Sequence, residues 1–343
     1  MSDIDEKLAA SGRYARQTAL SMIGTEGQRR ISAATALVVG CGALGSTQAA
    51  WLARAGVGRL LLVDRDIVET HNLHRQMLYD GEDARARRPK VVAAANRLRA
   101  VNPEVCVEPT VDFVTAENVI GLVRQADVVL DAADNAATRY LVNDACVREG
   151  KPWMYGGVMG TSGAAMAVIP RKGPCLRCVF HDPASVMSGP CATFGVLSTI
   201  VGWVAAMQVT AALKLLVGAP PDPARLHRFD IWSGHGSSAI ARRDQRCVCC
   251  GQNRYEFLGE MPAWDGGQAG TAGGAARGDA RPPGGGQACV GGRVSSRAAD
   301  AAALQPAVRR LMEGECPHEP RTPRGGVPTT VVPAVPVKET RHD

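Results

Sequence analysis

The ten residues from Ala36 to Gly45 read ALVVGCGALG: an apolar, β-branched run that ends in a glycine turn and leads into a helical pattern over Ala43–Ala55. A strand, a G-x-G-x-x-G turn and a helix in that order open a nucleotide-binding βαβ unit, because N–H groups at the helix start lack intrahelical partners and can meet phosphate. The next apolar run, Arg59–Asp64 (RLLLVD), ends in a carboxylate 19 residues after Gly45, where it can take ribose hydroxyls. Gly40, Gly42, Ala43, Leu44, Gly45 and Asp64 are therefore candidate contacts to an adenine nucleotide.

Working outward, residues 36–150 continue to alternate short strands with helices. Pro89 is suited to be the first residue of a helix running to about Val101. Val105–Glu108 and Val128–Asp131 read as further strands, with helices near 116–124 and 136–149. Continuous apolar strands between helices predict an α/β, Rossmann-like, doubly wound and mostly parallel sheet. After Pro152, Ala164–Ile169, Leu226–Ile231 and Ser237–Ala241 read as strands that extend the sheet in mixed orientation, with a buried helix near 195–217. One domain is expected over 1–258, with a nucleotide half at about 34–150 and a second half at about 151–258. Residues 259–343 are rich in Gly, Pro, Ala and Arg, and no Phe, Trp, Tyr or Ile occurs from Asp265 onward. Such a tail cannot bury enough apolar surface to offset its ordering entropy, so it is expected to be mostly disordered.

Charged residues beyond the second strand favour a triphosphate over a dinucleotide. Asp66–Gln76 reads DIVETHNLHRQ and sets Asn72 and Arg75 three residues apart, while Lys90 starts the next helix. A bond to phosphorus that breaks with loss of pyrophosphate builds charge on the leaving group, and cationic side chains stabilise it. The fourth strand ends in Asp131-Ala-Ala-Asp134-Asn135, at the edge where α/β sheets bind ligands. Asp134 is the candidate carboxylate for Mg2+, and Asp131 is read as a helix N-cap or packing residue.

Of 343 residues, 45% are apolar and 21% charged, the balance of a soluble globular chain. The apolar run Gly195–Leu216 carries Gln208, Thr210 and Lys214, which argues for a core helix and against a membrane span. With no secretory pattern at the N-terminus, a cytoplasmic location is expected. A net charge of +6 with only 4% aromatic residues lacks the dense basic face of a nucleic-acid protein. The eleven cysteines suit metal or catalytic thiols better than a disulfide framework. Cys175-Leu-Arg-Cys178 and Cys247-Val-Cys249-Cys250 have the spacing of a four-thiolate Zn2+ site, with a redox pair as the alternative. Cys41, Cys106 and Cys146 sit in apolar segments and read as small core residues.

Arg13-Tyr-Ala-Arg16-Gln17, the GCGALG loop, Asn72-Leu-His-Arg75-Gln76, Pro89-Lys90 and the DAADN run together resemble the E1-like family of ThiF/MoeB/HesA type, over about residues 12–258. The resemblance implies a homodimer that binds ATP and Mg2+ and adenylates the Gly-Gly terminus of a ubiquitin-like sulfur-carrier protein, for thiamine or molybdenum-cofactor biosynthesis. It makes Asp64 the ribose ligand and Asn72, Arg75 and Lys90 the phosphate contacts, with Asp134 beside magnesium and Asn135 next to it. Arg16 corresponds to an arginine that reaches the other subunit's ATP site. The likeness favours Cys247 and Cys250, over Cys249, as zinc ligands. It places Cys191, near a helix start, where the family carries a cysteine able to bond to the activated carrier or relay sulfur. No sulfurtransferase module follows, so sulfur is expected from a separate donor protein. Weighed against this reading are a nicotinamide-dependent oxidoreductase, a related tRNA-adenylating enzyme, and a non-catalytic zinc-stapled scaffold for a ubiquitin-like protein.

Overall fold

Each apolar run of the first half becomes a strand: β1 Thr35–Val39, β2 Arg59–Val63, β3 Cys106–Thr110 and β4 Val128–Asp131. The computed structural model describes residues 12–181 and 195–259, which fall within one unit, Met1–Gly273. Strands β5 Trp153–Met159, β6 Ser162–Val168, β7 Arg225–Asp230 and β8 His235–Ile240 complete an eight-stranded sheet in the order β3-β2-β1-β4-β5-β6-β7-β8. Pairing is parallel from β3 through β5 and antiparallel from β5 to β8. The mostly parallel α/β sheet with mixed C-terminal strands is therefore as the pattern implies.

Side chains alternate faces along each central strand. Ala36, Val38, Leu60 and Leu62 pack in one core cluster with helices α3 (Ala43–Ala55) and α5 (Lys90–Val101). Leu37, Val39, Leu61 and Val63 pack on the other side with α6 (Val119–Arg124) and α7 (Ala136–Glu149). Two short helices, α1 (Ala15–Thr18) and α2 (Gly24–Ala33), precede the sheet, and α4 (Gly81–Arg85) lies between β2 and α5. Helix α8 (Leu176–Val179) follows β6 and α9 (Ser198–Leu216) precedes β7.

Three readings change. Pro89 is the N-cap of α5 with extended ψ, and Lys90 is the first helical residue. Cys106 is exposed, because β3 is the edge strand, whereas Cys41 and Cys146 are buried as expected. Strand β5 has no counterpart in the sequence reading, since Gly156-Gly157 weakens any strand signal. Its reason is tertiary: a β-carbon at Gly156 would overlap the carboxamide of Gln208 on α9.

Helix α9 is the one described helix long and apolar enough to cross a membrane by length and composition. One of its faces (Ile200, Val201, Val204, Ala205, Gln208, Val209, Ala212) packs into the fold, while Trp203 and Met207 are only partly buried. Gln208 Nε2 donates to the Asp131 and Met154 carbonyls, both at 2.8 Å, and its Oε1 accepts from Gln48 of α3 at 2.6 Å. That polar bridge ties α9 and α3, the helix after the glycine turn, to the end of β4.

Candidate functional site

The C-terminal ends of β1, β2 and β4 open on a single cleft of about 390 Å³. Gly40 turns the chain out of β1 with φ +89°, and at Gly45 a β-carbon would overlap the Gly40 carbonyl, so glycine alone lets α3 start against the strand. Gly40, Gly42, Ala43 and Leu44 line the cleft, whereas Gly45 serves this packing and does not line it. Cys41 in the same loop is fully buried, and burial pushes its thiol up to about 12, which makes it inert as a nucleophile.

Asp64, just past β2, accepts from the Cys41 N–H at 2.7 Å and from the Asp66 N–H at 2.8 Å. Its carboxylate therefore braces the glycine loop, and each oxygen keeps lone-pair capacity for a hydroxyl. Lys90 is 7% exposed and its Nζ lies 2.9 Å from Asp66 Oδ2. The Lys90 N–H also donates to the Asp66 carbonyl at 2.8 Å, which clips the segment after β2 to the start of α5. Asn72 is buried in the short turn Thr70–Asn72, and its Oδ1 accepts from the Glu69 N–H at 3.2 Å. Arg75 is half-buried and donates to the His71 carbonyl at 2.8 Å. Asp64, Asn72, Arg75 and Lys90 all line the cleft.

On the opposite wall stand Asp134 and Asn135, both exposed, with Asn135 Nδ2 donating to Asp134 Oδ1 at 3.1 Å. Asn135, not Asp131, caps α7 by accepting from the Thr138 N–H at 2.9 Å. Asp131 has no exposed surface: it accepts from Ala133 N–H at 2.9 Å and pairs with Arg139 Nε at 3.2 Å. Burial raises its pKa, against the pull of Arg139 and of the Ala133 and Gly156 N–H groups. Arg139 Nη2 in turn donates to the Ala133 carbonyl at 2.8 Å, so the pair holds the loop that presents Asp134.

Arg139, Asp66 and Gln76 were missed from the sequence. Arg139 stands four residues after the Asn135 cap, one helical turn into α7, and that spacing was the available signal. Gln76 lines the cleft and its buried Oε1 has no hydrogen-bond partner among the described residues, so a polar group entering there would meet an unspent acceptor.

Arg16 is exposed and does not line this cleft. Its neighbours are anchored instead. Tyr14 is buried and its hydroxyl accepts from Asn102 at 2.8 Å, while Gln17 donates to Gln28 Oε1 at 2.6 Å and to the Ala55 carbonyl at 3.0 Å. Cys191 lies outside the described residues. Val196, a few residues later, pairs with Gly160 and lines the cleft.

Cys175, Cys178, Cys247 and Cys250 converge with all four Sγ atoms within 4.8 Å of one another, buried between α7 and the segment after β8. The Sγ separations of 3.3, 3.6 and 3.9 Å bracket the ~3.8 Å edge of a tetrahedron with Zn–S bonds of about 2.3 Å. The neighbouring Cys175 and Cys178 thiols hold the Cys247 thiol below its usual range. Cys249 is not in the quartet, and its Sγ accepts from Asn143 Nδ2 at 3.3 Å. The four can hold a metal ion with no position left open for chemistry.

The ThiF family model matches residues 14–249. The chain belongs to the ThiF family. A sulfur carrier protein ThiS adenylyltransferase of Bacillus subtilis (strain 168) is 43% identical to this ThiF-family chain over 250 residues, covering 72% of the chain and 74% of the relative. The adenylyltransferase and sulfurtransferase MOCS3 of Bos taurus is 42% identical over 243 residues, and the match takes in 70% of the chain but only 53% of that longer protein. Among solved structures, E. coli MccB superposes with a TM-score of 0.61 at 22% identity, covering 71% of the chain and 75% of MccB, and so shares the ThiF-type fold.

Proposed function

We propose that this chain is an ATP-dependent adenylyltransferase that activates the C-terminal Gly-Gly carboxylate of a ubiquitin-like sulfur-carrier protein. The observation that carries the proposal is one cleft that gathers the helix-start glycine loop, Asp64, Arg75, Lys90 and Asp134, in a chain 43% identical to an enzyme of that name.

In this reading the α3 start receives phosphate and the Asp64 lone pairs receive the ribose hydroxyls. The carrier's carboxylate is ionised at neutral pH, so attack on the α-phosphorus needs no general base; positioning and charge do the work. Negative charge accumulates on the departing pyrophosphate. Lys90 is kept in place by Asp66 at one N–H and has two others to offer, and Arg75 supplies a planar cation from the same wall. Mg2+ neutralises phosphate charge when bound, and Asp134 is the exposed carboxylate that would hold it. Asp131 and Arg139 keep that carboxylate's loop in place. The thiol quartet takes Zn2+ as a structural staple.

Arg16 acts in trans in a homodimer on this reading: Tyr14 and Gln17 clamp its backbone while its side chain faces solvent, away from its own cleft. A sulfur nucleophile of a separate donor protein then attacks the acyl carbon of the adenylate and displaces AMP, with Cys191 the candidate relay thiol, in a cytoplasmic thiamine or molybdenum-cofactor pathway.

The test is ATP–pyrophosphate exchange by the full chain with and without carriers ending in Gly-Gly. Exchange that requires a carrier and drops ~10²–10³-fold in Arg75→Ala is expected. A chain that binds ATP yet exchanges with no carrier would sink the enzymatic reading and favour the zinc-stapled scaffold.

A further inference from the structure

The thiol quartet leaves one sulfur over. Cys249 stands between Cys247 and Cys250 in the chain, is 1% exposed, and takes no vertex of the quartet. It belongs to the same sulfur cluster all the same. Its Sγ accepts from Asn143 Nδ2 at 3.3 Å and lies beside the Cys175 thiol. Asn143, fully buried on α7, fixes both sides of that contact, because its Oδ1 accepts from the N–H of Leu176, next to Cys175, at 2.9 Å. The backbone of Cys249 is held as well, its carbonyl accepting from the Asn253 N–H at 3.0 Å.

A closed tetrahedral site uses four sulfurs and has no place for a fifth. What a fifth thiol beside a metal-bound thiolate can do is form a covalent bond to it. With metal in the quartet, Cys175, Cys178, Cys247 and Cys250 are committed as ligands, and Cys249 is the thiol of the cluster that stays uncommitted. Zinc thiolates are open to small two-electron oxidants, and a sulfenic acid formed next to a thiol condenses with it. A disulfide inside the quartet would remove two ligands at once. One from Cys175 to Cys249 removes a single ligand, and it links α8 covalently to the segment after β8, the two pieces that the metal joins.

Resting on the zinc reading of the quartet, we infer that Cys249 is a resolving thiol, which closes a disulfide on Cys175 when hydrogen peroxide oxidises that ligand. The Cys175 thiolate attacks one peroxide oxygen, the O–O bond breaks, and the departing hydroxide takes a proton from solvent. The Cys249 sulfur then attacks the sulfenic sulfur of Cys175. An S–S bond forms, the S–O bond breaks, and the second hydroxide leaves with the Cys249 proton as water. The two sulfurs lose two electrons between them, and one peroxide ends as two waters. Three thiolates remain, so the site holds zinc less tightly while the fold keeps a crosslink at the same place.

The experiment exposes the full chain, purified with its zinc, to hydrogen peroxide, for wild type and Cys249→Ser. Zinc release is followed with a chromogenic chelator, disulfides by peptide mass mapping after alkylation, and stability by the thermal midpoint. Both proteins are expected to carry the same zinc content before treatment. Wild type then releases zinc, shows the Cys175–Cys249 disulfide, and regains zinc and midpoint after a dithiol reductant and fresh metal. Cys249→Ser accumulates sulfinic acid at Cys175, which the reductant does not reverse. A wild-type map with disulfides only inside the quartet overturns the inference, and that map decides by itself if Cys249→Ser does not fold. Release and recovery in Cys249→Ser equal to wild type overturn it too, as does loss of zinc from the untreated variant, which would make Cys249 a ligand. A wild-type chain that catalyses carrier-dependent exchange but contains no metal overturns the zinc reading, and this inference with it, while leaving adenylation intact.

Discussion

Asp131 shows how a residue's neighbours set its job. Its position at the end of β4 suggests a ligand contact or a helix cap, yet it is fully buried and spends its oxygens on Arg139 and on the Ala133 N–H. Removing one partner of a buried pair leaves the other charge in low dielectric. Asp131→Ala is therefore expected to lower unfolding free energy by about 3 kcal/mol or more, read from urea midpoints, and to weaken exchange by loosening Asp134's loop. An unchanged midpoint would mean that Arg139 is satisfied without it. Asp64 and Lys90 were legible as residue types at a strand end and a helix start. Their bracing bonds to Cys41 and Asp66 were not, because those partners are themselves unremarkable in sequence.

Among elements, the central strands were the easiest to read, since burial on both faces demands unbroken apolar runs. The antiparallel half reads less clearly because its signals are mutual. Strand β5 exists through its partners β4 and β6, and α9 is a core helix on one face only. The ends of β6 and β7 are joined by Asp230, whose carboxylate accepts from the hydroxyls of Thr161 at 2.6 Å, Ser162 at 2.7 Å and Ser233 at 2.9 Å. Those bonds, Thr161's first, hold its pKa well below the usual carboxylate range. A depressed carboxylate contributes stability in full above its unfolded pKa of about 3.9 and loses it as pH falls toward the folded value. Asp230→Asn is expected to melt earlier than wild type at pH 7, with the gap narrowing at about pH 3. A gap that stays constant between the two pH values would refute this account of the turn.

For the molecule as a whole, two connections go beyond single elements. The thiol quartet joins α8 to the segment after β8, residues more than seventy apart in sequence, against α7. If the quartet holds zinc as proposed, a chelator is expected to lower the thermal midpoint by on the order of 10 °C, with Cys250→Ala already low and insensitive to chelator. Elemental analysis finding no metal in the purified chain would dispose of the staple. The second belongs to the proposed homodimer. If Arg16 serves the partner's cleft, Arg16→Ala and Arg75→Ala homodimers are both inactive. Mixed and re-equilibrated, they recover about a quarter of wild-type exchange, since half the dimers are hybrids with one complete site. No recovery in verified hybrids would place Arg16 outside the reaction.

Sequence by itself determined the parts whose chemistry is local. The strand–GCGALG–helix unit, the carboxylates at strand ends and the two CxxC pairs each carry their meaning in spacing, because backbone geometry alone converts that spacing into a phosphate seat or a ligand pair. Tertiary structure alone decided which of these meet and what holds them. It put Asn135 at the helix cap in place of Asp131, required glycine at 156 beneath Gln208, and brought Phe113 beside Arg65. Those outcomes depend on contacts between residues tens of positions apart, which no local pattern records until the sheet order is set.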